Sequence, residues 1–206
     1  MFWWGVLIGF AICLVLVALV ILALIYIFPR DLTQSQLGFI RKKQQETRDR
    51  KTRDFIQRKW PQLDASRASW LFQISRLNGA EFEDLMAAVY RKKGYQVEKV
   101  GGPGDHGADL IAHKLNEVMC IQCKRWGPSF NVGNQTVKDM VAAIRAYGAT
   151  KGILVTTTSL TKAAEDLAGR MTELEVVVGP QVIALMEEVG FSPEEEIKGL
   201  LLRLRQ

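Results

Sequence analysis

An uncharged, proline-free run from Phe2 to Phe28 constrains this chain more than any other feature. Its 27 residues would form a helix of roughly 40 Å at 1.5 Å per residue. About 20 apolar residues cross a hydrocarbon core, so the sequence predicts a transmembrane helix over 2–28. A buried helix of a water-soluble core is the alternative, and this unrelieved apolar length disfavours it.

The flanks of this run distinguish an anchor from a signal peptide and set its orientation. No Lys or Arg precedes it, and the residues before Pro29 make a poor cleavage site. Trp3 and Trp4 at one end and Tyr26 at the other suit the two membrane interfaces. Basic residues follow only on the C-terminal side, which predicts a single-pass protein of the inner (cytoplasmic) membrane with the remaining chain on the cytoplasmic side.

The charge of the chain is concentrated beside this segment. The formal net charge is +5, yet Arg30 to Trp60 holds ten Lys and Arg against four acids. The rest of the chain is therefore close to neutral, which argues against a basic globular domain. We expect residues 30–61 to form a basic helical linker drawn to anionic lipid headgroups, with a nucleic-acid-binding arm as the alternative.

The remaining residues, 62–206, are enough for one domain with a substantial core. Their pattern predicts a helix from Asn78 to Gly94 with Glu81 in a capping box. Strands follow at 95–100, 108–114 and 117–124, then a helix over 134–147, a buried strand over 152–156, a helix from Thr161, a last strand over 174–178 and helices over 180–189 and 193–204. The order α-β-β-β-α-β predicts an α/β sandwich around a mixed sheet.

A candidate site comes from the two strands joined at Leu115-Asn116. If these form a two-residue turn, Asp109 lies opposite Gln122, and Lys124 lies on the same face two residues further along. The turn lacks the Asn-Gly signature, so a one-residue slip that places Cys123 opposite Asp109 is the alternative. In the first register a carboxylate, an amide oxygen and an ammonium converge.

Those residue types suit metal-dependent phosphodiester hydrolysis. Mg²⁺ prefers hard oxygen ligands such as those of Asp109 and Gln122, and Lys124 could position water or offset charge on the phosphate. The site lacks one negative charge, and Glu83, at the rim of the apolar stripe of its helix, could restore it. We therefore predict Asp109, Gln122 and Glu83 as metal ligands and add Lys124 as a catalytic residue.

The pair Cys120 and Cys123 has the spacing of a redox pair or of half a zinc site. Residues three apart in a strand point to opposite faces, so the sulfurs should not meet. We expect small buried thiols instead.

At these residues the sequence resembles the Mrr-type restriction endonucleases of the PD-(D/E)xK nuclease fold. The matching stretches run in family order, within 78–178: Phe82-Glu83, Gly94-Tyr95, Gly104 to Leu110, Ile121 to Arg125 and Gly152 to Thr157. The resemblance implies Mg²⁺-dependent cleavage of DNA, with Mn²⁺ as an alternative ion, by Asp109, Gln122 and Lys124 with Glu83 auxiliary. Double-strand cleavage would favour a homodimer.

The chain departs from that family upstream, where a membrane segment and a basic linker replace a DNA-reading domain. The family loop often has Gly where His106 stands, so a role for His106 is not implied. The leading hypothesis is a membrane-anchored DNA endonuclease. The alternative is a non-catalytic nucleic-acid-binding or membrane-tethering module that keeps the nuclease fold.

Overall fold

The computed structural model describes residues 15–20, 34–101, 107–127, 130–191 and Gly199. Of the apolar run 2–28, only residues 15–20 are described, and they are helical and exposed; the rest of that prediction lies outside the described residues, as does most of the predicted helix 193–204. In these ranges no helix has the length and apolarity needed to span a bilayer. The chain divides into two compact units, 1–48 and 49–206.

The basic linker is helical, as predicted, over α1 (Gln34–Lys59). The helix is polar around its whole circumference, and Ile56 is its buried residue. Trp60, which follows it, is 7% exposed and belongs with Ile56 to the core of the second unit. That unit therefore begins at Asp49, before the boundary predicted at residue 62, because these two side chains supply apolar surface to its core.

Among the described residues, two more helices lie between α1 and the sheet. The helix α2 (Ala65–Ile74) starts at Asp64, whose side chain accepts from the Arg67 N–H, and it was not predicted from the sequence. The helix α3 (Gly79–Lys92) has the predicted capping box: Asn78 and Glu81 each accept from the other's backbone N–H. Gly94 ends this region at φ +86°, a conformation that glycine adopts without strain.

The sheet has five strands in the order β1 to β5: β1 (Gln96–Lys99), β2 (Leu110–Lys114), β3 (Glu117–Lys124), β4 (Lys151–Thr156) and β5 (Leu174–Val178). The first three pair antiparallel, whereas β3, β4 and β5 pair parallel. The predicted mixed α/β sheet is confirmed. The apolar strand β4 lies inside the sheet with a neighbour on each side, as its sequence indicates.

Three further helices complete the unit: α4 (Asn134–Ala146), α5 (Lys162–Ala168), which Thr161 caps, and α6 (Gly179–Glu188). Two apolar clusters cover the two faces of the sheet. One contains α3, α6 and the β3 residues Ile121 and Cys123; the other contains α4, α5 and Cys120. The two thiols are free, buried and on opposite faces, which confirms the prediction from their spacing.

Candidate active site

The register of the β2–β3 hairpin agrees with the first of the two predicted alternatives. Leu110 pairs with Ile121 and Lys114 with Glu117, which leaves Leu115 and Asn116 as a two-residue turn. Leu115 takes φ +54° in that turn. Asp109 immediately precedes the first paired residue, and the slipped register is excluded for the residues that pair.

At Asp109 the backbone pairing between β2 and β3 is replaced in part by a bond to the Asp109 side chain. Its backbone N–H donates to the carbonyl of Ile121 at 2.9 Å, and its Oδ2 accepts from the N–H of Cys123 at 2.6 Å. The carboxylate thus takes the place of a backbone carbonyl, and β2 begins at Leu110 instead of the predicted Ala108. This bond fixes the carboxylate against the peptide that joins Gln122 and Cys123.

Gln122 carries an unusual orphaned atom. The side chain is 3% exposed, and among the described residues its buried Oε1 has no hydrogen-bond partner. A buried amide oxygen without a partner costs about 1–3 kcal/mol, so such an atom calls for an explanation. A cation beside Asp109 would provide one.

The donor chemistry here suits a hard divalent cation. Asp109 offers an anionic oxygen and Gln122 a neutral one, and Mg²⁺ commonly keeps several waters beside a small number of protein ligands. Within the described stretches no group of three or more His, Cys, Asp or Glu could hold a metal.

Glycine at position 107 lets α4 approach this site. A Cβ built on Gly107, which has φ +91°, would lie 2.9 Å from Asp139 Cβ and 3.4 Å from Gln122 Nε2. Asp139 on α4 also accepts from Gln135 at 2.8 Å. Sequence reasoning did not identify Asp139, because nothing local to α4 indicates that it packs beside Gln122.

Glu83 lies in the other layer, on α3, and is paired with a lysine. Lys99 Nζ lies 3.4 Å from Glu83 Oε2 and 2.8 Å from Asp84 Oδ1. Burial lowers the pKa of Lys99, but the carboxylates of Asp84 and Glu83 outweigh it and raise that pKa. The predicted auxiliary acid is thus already balanced by a cation, which the sequence did not reveal.

The pKa of the buried Cys123 thiol is raised, and the neighbouring charged groups contribute to the shift. Burial is the main cause that raises its pKa; Asp109 and Glu83 raise it further, and Lys124 and Lys99 oppose them. Three of these charged residues, Asp109, Glu83 and Lys124, are candidate site residues, and Lys99 is the lysine that pairs with Glu83.

Arg125, Trp126 and Gly127, which follow Lys124, are partly exposed. Arg125 is partly exposed, yet its Nε is buried without a partner among the described residues. Asp105 and His106 lie outside the described residues. His113 lies in β2 and pairs with Gln96 and Val118.

Comparison with known proteins gives a consistent family. A family model described as restriction endonuclease (Mrr catalytic domain) matches residues 74–186, more than half of the chain. The type IV methyl-directed restriction enzyme EcoKMrr of Escherichia coli K12 is 30% identical over 139 residues, covering 63% of this chain and 45% of that enzyme. The chain thus spans less than half the length of this relative.

A solved structure shares the fold. The DNA modification-dependent restriction endonuclease AspBHI aligns with a TM-score of 0.57 and 16% identity, over 68% of this chain and 41% of that one. At this identity the likeness concerns the fold alone. Together with the family match over the helix, hairpin and β4 that build the site, it leads to one conclusion: the chain belongs to the Mrr-type restriction endonuclease family.

Proposed function

We propose that this protein is a metal-dependent DNA endonuclease that hydrolyses phosphodiester bonds at Asp109, Gln122 and Lys124. The observation that carries the proposal is the Gln122 Oε1, which is buried and has no partner among the described residues. It lies on the strand that ends at Lys124 and whose Cys123 N–H binds Asp109. An orphaned oxygen beside a carboxylate is suited to a cation, and the neighbouring lysine to a phosphate.

Each side chain has a distinct task. Asp109, oriented by the Cys123 N–H, and Gln122 hold Mg²⁺ or Mn²⁺, with Glu83 as the auxiliary acid. The ion, when bound, polarises the phosphodiester and lowers the pKa of bound water. Lys124 positions the attacking water and offsets negative charge on the pentavalent phosphate. Arg125 follows on the chain, where its guanidinium can contact the DNA backbone.

The test is cleavage of supercoiled plasmid by the full-length chain in detergent, with Mg²⁺, Mn²⁺ or EDTA. Asp109→Ala and Lys124→Ala should each lower the nicking rate at least about 100-fold. Asp166→Ala and Lys162→Ala are matched controls, since these residues form an exposed ion pair on α5 and are not candidate site residues. Unchanged nicking in the site variants, or none by the wild type on any DNA, would refute the proposal.

The names of two similar proteins indicate which DNA to test first. The relative from Escherichia coli is described as methyl-directed, and AspBHI as dependent on DNA modification. We propose modified DNA as the substrate class to test first, with methylated and unmethylated copies of one plasmid compared. Double-strand breaks in place of nicks would support a homodimer, whose mass light scattering measures directly.

We further propose that residues 2–28 anchor the protein in the inner membrane, with the nuclease unit on the cytoplasmic side. The uncharged run and the basic residues that follow it support this. The polar circumference of α1 is consistent with attraction to anionic headgroups without burial. Release from membranes by alkaline carbonate, or digestion of the nuclease unit from the periplasmic side, would contradict it.

A second candidate is a non-catalytic module that binds DNA and tethers it to the membrane. The pairing of Glu83 with Lys99 favours it, because this ion pair occupies an acid that the metal would need. Under this hypothesis DNA binding is salt-sensitive and Lys124→Ala leaves it intact, whereas no variant cleaves DNA.

A further inference from the structure

Four consecutive buried hydroxyl side chains follow the apolar part of β4. Thr156, Thr157, Thr158 and Ser159, which we call the hydroxyl cluster, are 0%, 1%, 2% and 5% exposed. Burying a hydroxyl is unfavourable unless it forms a hydrogen bond, so their partners indicate what the cluster is for.

Those partners lie in the segment that begins at Lys124. Thr156 Oγ1 donates to the Lys124 carbonyl at 2.8 Å, and Thr157 Oγ1 donates to the Trp126 carbonyl at 3.4 Å. Ser159 Oγ donates to Asn131 Oδ1 at 3.0 Å. The cluster therefore bonds to three residues of 124–131, which start at the candidate catalytic lysine.

The direction of the bonds at Lys124 can be assigned. A hydroxyl has one proton, and Thr156 uses it for the Lys124 carbonyl, so Thr158 must donate in the 3.2 Å contact between the two hydroxyls. The Thr158 N–H also donates to Thr156 Oγ1 at 3.2 Å. Such a chain polarises each bond and strengthens the last one.

The position of this last bond matters. Lys124 and Thr156 are the final paired residues of β3 and β4. Beyond them the Lys124 carbonyl accepts the Thr156 hydroxyl and, at 3.4 Å, the Thr157 N–H. These bonds set the peptide between Lys124 and Arg125, and so the directions in which both side chains leave the strand.

We propose that Thr156 is a positioning residue, whose hydroxyl holds the Lys124 peptide so that the lysine ammonium meets the reacting phosphate. The proposal rests on the proposed endonuclease function. Valine would keep the branched shape that suits a strand and would lose only the hydroxyl. The catalytic rate, and not the fold, should therefore depend on that hydroxyl.

The experiment uses the full-length chain and compares Thr156→Val with Thr156→Ser and Thr150→Val. Thr150 is the matched control, because its hydroxyl donates at 3.0 Å to the Val118 carbonyl of the same strand pair, at the other end. We expect Thr156→Val to lower kcat about tenfold or more and to change its pH profile. KM for DNA and the Mg²⁺ dependence should stay within twofold.

Thr156→Ser should stay within threefold of the wild-type kcat, and Thr150→Val should be unchanged. If Thr156→Val unfolds, Thr158→Val removes the preceding donor of the chain and should give the same pattern with a smaller loss of two- to threefold. Equal kcat and pH profiles for Thr156→Val and Thr150→Val would overturn the proposal. So would a serine variant as impaired as the valine variant.

A second measurement does not need cleavage. The ¹³Cε resonance of Lys124, assigned with Lys124→Arg, should move in Thr156→Val and stay in place in Thr150→Val and Thr156→Ser. A wild-type chain that cleaves no DNA would refute the endonuclease function, and this resonance would still decide the positioning role. An unmoved resonance in Thr156→Val refutes that role independently of activity.

Discussion

At the scale of single residues, the hairpin register was predictable, whereas several contacts of the candidate site have no signal in the sequence. The spacing predicted a two-residue turn at Leu115-Asn116, and the observed pairs from Leu110–Ile121 to Lys114–Glu117 agree. The bond from Cys123 N–H to Asp109, the Lys99 pair on Glu83 and the approach of Asp139 were not foreseen. Each depends on a residue distant in the chain, which periodicity does not identify.

The orphaned Gln122 oxygen gives a prediction for Gln122→Met. Without metal, the variant should be as stable as the wild type or more so, because it removes a buried acceptor that has no partner. Thermal unfolding in EDTA measures this. Added Mg²⁺ should then raise the Tm of the wild type and leave that of the variant unchanged. Equal Mg²⁺ stabilisation of both proteins would rule out Gln122 as a ligand.

A second residue-scale prediction concerns Gly107→Ala. Its positive φ is unfavourable for alanine, and the new Cβ would contact Asp139 and Gln122. We expect a loss of about 1–3 kcal/mol in the free energy of unfolding. Gly148→Ala is the control: it has φ +59° and no atom within 4 Å of the built Cβ, so it carries the backbone strain alone. Equal losses in urea titrations would show that the contact with α4 is unimportant.

At the scale of elements, the structure follows local signals where these are strong. The capping box at Asn78, the threonine cap at Thr161 and the apolar strand β4 were all predicted. The helix α2 was missed, although Asp64 caps it and Leu71, Phe72 and Ile74 form its buried side. A ten-residue helix gives only two or three turns of periodicity, so its pattern is weak.

The turn between β2 and β3 gives an element-scale prediction. Leu115 is in the left-handed region and 99% exposed, so it bears strain without a packing benefit. Leu115→Asn should raise the free energy of unfolding by about 0.5–1 kcal/mol, since asparagine tolerates this conformation. Leu115→Ala, which keeps a Cβ in the same conformation, should give no such gain. A stabilised alanine variant would assign the effect to the exposed leucine side chain instead.

At the scale of the whole molecule, the compact unit includes the end of α1 as well as the nuclease core. Trp60 is buried, and a Cβ built on Gly179 would overlap its ring. Trp60→Ala should therefore lower the free energy of unfolding by about 3–5 kcal/mol. Phe39→Ala, at a 67% exposed aromatic of the same helix, should change it by less than about 0.5 kcal/mol. If both variants lost similar amounts of free energy of unfolding, the compact unit would begin at residue 62, as the sequence predicts.

Stability should fall at alkaline pH because of the buried tyrosine of α3. Burial, and then the charge of Glu175, raise the pKa of Tyr90 far above its usual value, and burial with the Glu117 bond raises that of Tyr95 to about 12. Above pH 10, tyrosines of the unfolded chain lose protons that the folded chain keeps. The contribution of these two tyrosines to the free energy of unfolding is therefore complete below pH 10 and decreases as the pH rises above it.

For Tyr90 alone, the free energy of unfolding should fall by about 1.4 kcal/mol per pH unit above pH 10. Urea titrations from pH 8 to 11 measure it, and Tyr90→Phe should make the decline shallower by that amount. A tyrosine absorbance titration in which Tyr90 ionises near pH 10 in the folded protein would contradict the assignment.

The sequence by itself determined the hairpin register and the order of the elements apart from α2, and it predicts that Asp109, Gln122 and Lys124 share a face. These follow from periods of two and 3.6 residues and from caps, which act within a few residues of the chain. The tertiary structure alone decided that Lys99 neutralises Glu83, that Trp60 belongs to the core and that the Thr156 hydroxyl holds the peptide of Lys124. Such contacts join residues far apart in sequence, and only the packing of the whole chain sets their distances.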